Sequence, residues 1–119
     1  MRTLVVKCTA GDEDPERCNQ AFTVASAGVS LGTTVSLWLT GEAAWFGVPG
    51  RAEEFALPLA TPLAELRDLV IAGGTLTVCS QCAARREITQ DTLLAGVRLA
   101  GAAVFVEESL AEDAQALVY

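Results

Sequence analysis

Thr75-Leu76-Thr77-Val78-Cys79-Ser80-Gln81-Cys82 is the stretch of this chain that most clearly indicates its fold. The first four residues are apolar or β-branched, which predicts a buried strand, and Cys79 and Cys82 follow where the next helix is expected to begin. In open α/β sheets, ligands and chemistry collect at the carboxyl ends of the strands. The stretch therefore predicts two thiols at the functional edge of an α/β sheet.

Strand and helix patterns alternate along the rest of the chain. Besides this strand, further strands are expected at residues 3–8, 34–40 and 102–106. Helices are expected from Asp14-Pro15 to Gly32, near 42–46, from Thr61-Pro62 to Gly73-Gly74, around 92–97 and, on a capping-box pattern, from Ser109 onward. Residues 116–119 are either the end of that last helix or a short edge strand. This alternation predicts a mainly parallel sheet with helices on both faces.

Length and charge limit the range of functions. At 119 residues the chain is expected to form one domain, residues 1–119, with a single core. The net charge of −7 argues against a nucleic-acid partner, since no basic stripe is present to displace counterions from phosphates. The longest uncharged run, residues 18–41, is interrupted by polar side chains at short intervals, so no membrane span is predicted.

The cysteine content favours sulfur or metal chemistry. The amino terminus lacks the long apolar run of a secretory signal, so we expect a cytoplasmic protein, in which structural disulfides are rare. Four cysteines then favour catalysis, sulfur handling or metal binding. Histidine is absent, which removes Ser-His and Cys-His nucleophile pairs, and no glycine-rich phosphate-binding motif is present. No cofactor is therefore expected.

Charged residues near the two thiols complete the candidate site. Arg85 and Arg86 follow Cys82 by three and four positions, so at helical spacing they stand over the thiol and favour its anion. A solvated surface pair is the alternative. Glu42, just after the second strand, and Cys8, at the end of the first, are expected at the same edge of the sheet and are further candidates.

Several interpretations of the cysteines remain open. A zinc site would need two CxxC pairs and only one exists, so Cys8 and Cys18 would have to supply the missing ligands. Cys18 falls on the apolar stripe of the first helix and is expected in the core. A thioredoxin-like dithiol is a redox alternative, although this pair lies late in the chain and no proline follows Pro62.

The segment Val78-Cys79-Ser80-Gln81-Cys82-Ala83-Ala84-Arg85-Arg86-Glu87-Ile88 resembles the DsrE/DsrF-like family, which includes TusD and YchN. That family carries a strand-ending cysteine, often as CxxC, followed by an Arg-Gly-hydrophobic turn. Residues 39–42, 62–66 and 114–119 resemble other parts of the family pattern in the same order. The resemblance implies a single three-layer α/β domain with a mostly parallel five-stranded sheet flanked by helices. Glu87 departs from the pattern, where glycine is usual, and its carboxylate is expected to raise the thiol pKa.

The resemblance also implies a function. Several family members carry sulfane sulfur as a cysteine persulfide and pass it between partner proteins. Cys79 matches the sulfur-carrying position, and Cys82 matches a second cysteine found in some members. The function implied is a cytoplasmic persulfide carrier with sulfur-donor and sulfur-acceptor partners. The alternatives are a dithiol redox module, a Cys-ligated metal binder and a non-catalytic interaction protein.

Composition adds an expectation about assembly. A domain of this size cannot bury all of a chain that is 51% apolar, and homotrimers or hexamers occur in the family. The irregular stretch 42–57 holds Trp45, Phe46, Val48 and Phe55, and we expect it at the surface of a homo-oligomer, at or beside the interface.

Overall fold

A sheet of five parallel strands lies at the centre of the computed structural model, which describes residues 2–119. The strands are β1 (Thr3–Cys8), β2 (Thr34–Leu39), β3 (Thr75–Cys79), β4 (Val97–Ala100) and β5 (Ala114–Val118). Their order across the sheet is β4-β3-β2-β1-β5, and each neighbouring pair is parallel. The predicted α/β fold is confirmed, and the sheet in the described residues is parallel throughout.

Helices cover both faces of the sheet. They are α1 (Pro15–Ser30), α2 (Leu63–Gly73), α3 (Ser80–Arg85) and α4 (Ala102–Ser109), and short 3₁₀ helices occupy Gly41–Gly47, Ala52–Glu54 and Gln90–Thr92. The first two α-helices pack against each other over β1, β2 and β3, whereas α4 lies on the opposite face. No helix within residues 2–119 is both long enough and apolar enough to cross a membrane.

The main core lies between the sheet and the pair formed by α1 and α2. Alternate strand residues face this layer, so Val6, Leu37 and Leu76 are fully buried in one cluster with Phe22 of α1 and Val70 of α2. Each such side chain contributes about 1.5–3 kcal/mol when fully buried. This apolar layer therefore supplies most of the stability of the fold.

The opposite face is held by a polar network around Glu108 of α4. Its carboxylate accepts hydrogen bonds from Ser36 Oγ at 2.6 Å and Trp38 Nε1 at 2.9 Å, and it pairs with the Arg98 guanidinium at 2.7 Å. The rings of Trp38 and Phe105 also meet edge to face, with centroids 5.5 Å apart. Because α4 contains no fully buried residue, it is held on the sheet largely by these polar contacts.

The predicted ends of the first helix are confirmed. Asp14 is the N-cap and accepts a hydrogen bond from the Arg17 N–H, and Pro15 is the first helical residue. The helix stops at Ser30, two residues before Gly32, which has the positive φ of +82° that favours glycine.

The prediction for residues 92–106 was wrong. The helix expected around 92–97 is a 3₁₀ turn followed by β4, and the strand expected at 102–106 is the helix α4. The β4 sequence is short and carries Arg98, whose guanidinium donates hydrogen bonds to Thr77 and Glu108. The apolar run that follows has strand propensity, but short runs of this kind do not distinguish a strand from a helix, and tertiary contacts decide.

The last predicted helix was also wrong. Ser109 ends α4 instead of starting a new helix, because the N–H groups of Leu110 and Ala111 bond back to Val106 and Glu108. Residues 114–118 then pair with β1 as the edge strand β5, so the strand alternative for the end of the chain is the correct one. The available hydrogen-bonding edge of β1 outweighs the helix preference of this alanine-rich segment.

Candidate thiol site

The two thiols of the CxxC lie at the carboxyl edge of the sheet. Strand β3 ends at Cys79, which is the N-cap residue of α3, and Cys82 lies in the first turn of that helix. Both side chains are half-buried and both thiols are free. The chain therefore presents two adjacent thiols at the edge where parallel sheets place their chemistry.

The environment of Cys79 favours the thiolate. Partial burial raises the pKa of this thiol, but the backbone N–H and thiol of Cys82, the N–H of Gln81 and the charge of Lys7 outweigh burial and bring the pKa below its ordinary value. Neither arginine is among these contributions. The net direction is opposite to the increase expected from Glu87.

Lys7 is a residue of this site that the sequence analysis did not single out. In the sheet register Lys7 is opposite Trp38 and Trp38 is opposite Thr77, and Cys79 is the next residue of β3 on the same face. The ammonium group lies 4.1 Å from the ring centroid of Phe105 in α4, a cation–π contact that holds it over this face. The sequence feature that could have identified it is a single lysine near the end of an otherwise apolar strand.

Cys82 is held from the other side by the segment that follows β2. The backbone N–H of Gly41 donates a hydrogen bond to Cys82 Sγ over 3.2 Å. Gly41 has a φ of +56°, and a Cβ there would lie 2.9 Å from the Thr9 carbonyl oxygen, so only glycine fits. The preceding residue, Thr40, is anchored by its N–H to the Cys8 carbonyl at 2.9 Å.

The two arginines have different positions. Arg86 has a side chain that is 20% exposed, and it donates hydrogen bonds to Glu42 Oε2 at 2.9 Å and to the Cys82 carbonyl oxygen at 3.1 Å. Arg85 is exposed at the last turn of α3. Within residues 2–119 neither guanidinium donates a hydrogen bond to a cysteine sulfur, so Arg86 joins the site through Glu42 and a backbone carbonyl.

Glu87 occupies a backbone position suited to glycine. Its φ is +57°, and the N–H groups of Glu87 and Ile88 bond to the carbonyls of Ala84 and Ala83, which is the Schellman arrangement at the end of α3. A side chain in this conformation costs about 1–2 kcal/mol. The glycine usual in the family pattern thus has a physical basis, and this chain keeps the turn without it.

Cys8 and Cys18 lie together in the core, on the side of α1. Both are fully buried, and the Cys8 thiol donates a hydrogen bond to the Ala10 carbonyl at 3.2 Å. The neighbouring Cys8 thiol and burial together raise the pKa of Cys18. In the described part of the chain no three His, Cys, Asp or Glu side chains come together as a metal site. The four cysteines thus form two separate pairs.

Comparison with known proteins agrees with this architecture. The model of the DsrE/DsrF-like family matches residues 2–116. The chain belongs to the DsrE/DsrF-like family. Among curated protein sequences no relative matches it.

Several solved structures have the same fold. The ychN protein from E. coli superposes with a TM-score of 0.83 at 17% identity, over 100% of both chains. A protein of unknown function from Methanobacterium thermoautotrophicum gives 0.69 at 11% identity, also over 100% of both chains. A conserved protein of unknown function from Bacteroides thetaiotaomicron gives 0.63 at 13% identity, over 98% of this chain and 94% of that one. At these identities the similarity establishes the fold alone.

Cys79 should react with alkylating reagents fastest of the four cysteines, and Cys18 slowest. Because the pKa of Cys79 is lowered, its alkylation rate should rise at a lower pH than that of a free thiol, whose pKa is about 8.5. Site-resolved mass spectrometry after labelling across pH measures this. In denatured protein the four rates should converge, and equal rates for Cys79 and Cys18 in the folded protein would contradict the assignment.

Glu87→Gly should raise the free energy of unfolding by about 1 kcal/mol, because glycine adopts the positive φ without a steric penalty. Glu87→Ala is the matched control, since it removes the same charge but retains the strained backbone. Denaturant unfolding of the three proteins gives the comparison. If the alanine variant gains as much stability as the glycine variant, charge rather than backbone conformation is responsible.

Proposed function

We propose that this protein is a cytoplasmic cysteine-persulfide carrier that receives sulfur on Cys79 and releases it with the help of Cys82. The observation that carries the proposal is a half-buried free thiol with a lowered pKa at the carboxyl edge of a parallel sheet, three positions before a second free thiol. Membership of the DsrE/DsrF-like family supports it. The partners proposed are a sulfur-donor and a sulfur-acceptor protein.

Loading is a thiolate attack on a persulfide. The Cys79 thiolate attacks the outer sulfur of a donor persulfide, a new S–S bond forms on Cys79, and the donor sulfur leaves as a thiolate with the bonding pair. The lowered pKa of Cys79 increases the fraction of attacking thiolate near neutral pH. The charge of Lys7, on the same face of the sheet, favours both this thiolate and the persulfide anion that follows.

Release uses the second thiol. The Cys82 thiolate attacks Cys79 Sγ, a disulfide forms between the two cysteines, and the outer sulfur leaves as hydrosulfide with the bonding pair. The sulfane sulfur is reduced as the two thiols are oxidised, and a dithiol reductant returns the pair to its starting state. The exposed Arg85 remains a candidate for holding the terminal sulfur anion, whereas Arg86 is already engaged with Glu42.

A dithiol redox module is the second candidate function. It is favoured by the position of the Cys82 thiol in the first turn of α3, three residues after Cys79, where it helps to lower the pKa of Cys79. Intact mass separates the two functions. In a Cys82→Ser background, which cannot form the internal disulfide, incubation with a low-molecular-weight persulfide should add one sulfur atom to a carrier and none to a redox module. In the parent protein, a redox module should lose two hydrogens with a mild oxidant at a physiological potential.

Cys79→Ser should abolish persulfide loading, because the attacking sulfur is lost, whereas Cys82→Ser should load normally and release hydrosulfide more slowly. Intact mass after loading and a hydrosulfide assay during release give the two readouts. Cys8→Ser, in the other cysteine pair, is the matched control for loss of a thiol and should load like the parent protein. Loss of loading with Cys82→Ser alone would reverse the two roles, and full loading in both site variants would refute the carrier function.

We further propose that the protein forms a homo-oligomer of three or six copies through the surface of α4 and β5. The aromatic residues of 42–57 are less available than expected, because Phe46 is buried and Trp45 is covered by the Arg51 guanidinium 4.0 Å from its ring. Three of the six large exposed apolar side chains within residues 2–119 occur instead on α4, just after it and on the edge strand β5, namely Val106, Leu110 and Val118. The other three are Leu31, Leu59 and Leu69. An exposed apolar surface beside an open strand edge suits a second copy of the chain.

Leu110→Glu should reduce the mass of the assembly measured by light scattering, because it places a charge in the proposed interface. Leu59→Glu is the matched control, since Leu59 is also an exposed leucine but lies in the loop before α2. A parent protein that is a 12.4 kDa monomer at micromolar concentration would refute the assembly. A loss of mass only with Trp45→Glu would move the interface to residues 42–57.

A further inference from the structure

We propose that the backbone N–H of Gly41 is the donor that stabilises negative charge on the Cys82 sulfur, and that Glu42 and Arg86 are the positioning residues that hold this donor in place. Only the assignment of the charged Cys82 sulfur to the release step rests on the proposed function. The arrangement itself stands on hydrogen bonds between the segment after β2 and helix α3.

The Gly41 donor is directed at sulfur and fixed by the backbone. Its N–H lies 3.2 Å from Cys82 Sγ, and a thiolate accepts such a bond far better than a neutral thiol, which is a weak acceptor. The positive φ of Gly41 and the close approach of the Thr9 carbonyl leave this residue little freedom. A donor fixed in this way needs no rearrangement when charge develops on the sulfur.

Arg86 connects the two residues that flank this hydrogen bond. Its Nε and terminal nitrogen lie 2.9 and 2.8 Å from Glu42 Oε2, and its other terminal nitrogen donates to the Cys82 carbonyl at 3.1 Å. Glu42 is covalently next to Gly41, and Cys82 carries the accepting sulfur. The contacts therefore form a closed ring in which one side chain holds donor and acceptor together.

The other side of Glu42 is also constrained. A Cβ at Gly11 would lie 2.8 Å from the Glu42 carbonyl oxygen, so the loop after β1 packs closely against this residue. The Ala43 N–H bonds to the Thr40 carbonyl at 3.1 Å and closes the first turn of the 3₁₀ helix. The loop and the turn fix the backbone of Glu42. Its side chain provides the connection to α3, through the ion pair with Arg86.

This arrangement gives the two thiols different means of carrying charge. Cys79 is favoured as an anion by Lys7 and by the N–H groups of α3, which suits the thiolate that attacks the donor. Cys82 has the separate donor on Gly41, which suits the thiolate that attacks Cys79 in release. The Cys82 proton passes to solvent before that attack, and the outer sulfur then leaves Cys79 as hydrosulfide as the disulfide forms.

The test compares the direction in which two substitutions change the alkylation rate of Cys82. In a Cys79→Ser background, Glu42→Gln and Arg86→Gln should both slow alkylation of Cys82 near neutral pH, by roughly three- to tenfold, because each breaks the same connection. A direct effect of charge on the sulfur would instead give opposite signs, since one change removes a negative and the other a positive charge. The double variant should be no slower than either single one.

Two further measurements separate positioning from loss of structure. The alkylation rate at strongly alkaline pH, where the thiol is fully ionised, should be unchanged, whereas a general loosening of the site would alter that plateau. Arg17→Gln and Glu65→Gln make the same charge changes on exposed helix surfaces and should leave the Cys82 rate unaltered. Opposite signs for the two site variants, or rates equal to those of the parent, would overturn the proposal. The assay contains no persulfide, so its outcome is independent of whether the protein carries sulfur.

Discussion

The parallel pairing of β1, β2 and β3 is the constraint on which the candidate site depends. Because all three strands run in the same direction and in close register, their carboxyl ends meet at one edge. Three segments far apart in the sequence are thereby brought together: the end of β1 with Lys7, the turn after β2 with Gly41 and Glu42, and the start of α3 with the two thiols. An antiparallel partner at any of these positions would send its segment to the opposite edge.

The two faces of the sheet are stabilised by different forces, and the site lies where they meet. The layer of α1 and α2 is apolar and closely packed, and it contains the buried pair Cys8 and Cys18. The α4 face relies on hydrogen bonds to Glu108 and on cationic side chains over aromatic rings. Strand alternation places Cys79 on the second of these faces, so a charged lysine can act on it. The same alternation sends the thiol of Cys8 into the first face, where it is fully buried and donates a hydrogen bond to the Ala10 carbonyl.

The site is built more from backbone groups than from the charged side chains that first draw attention. The N–H groups of α3 act on Cys79 and that of Gly41 acts on Cys82, whereas Arg86 contacts a carboxylate and a carbonyl. Backbone donors are positioned by the fold itself, which makes them well suited to an anion whose charge appears and disappears. Charged side chains then serve to connect segments, as Glu42 and Arg86 do across 2.8 Å.

The fold class, the strand that carries the thiols, the ends of the first helix and the identity of the CxxC pair could all be predicted from the sequence. These depend on local properties, namely β-branched and apolar periodicity, a capping aspartate and cysteine spacing. The order of elements after residue 90 depends on tertiary contacts, because short apolar segments there have similar preferences for helix and strand. Residues 114–118 become a strand because they pair with the free edge of β1. Tertiary structure also decided which residues surround the sulfurs. Lys7, Gly41 and Cys82 are separated by dozens of residues along the chain, and only the parallel register brings them to the same edge of the sheet, because contacts between strands are set by pairing and not by sequence distance.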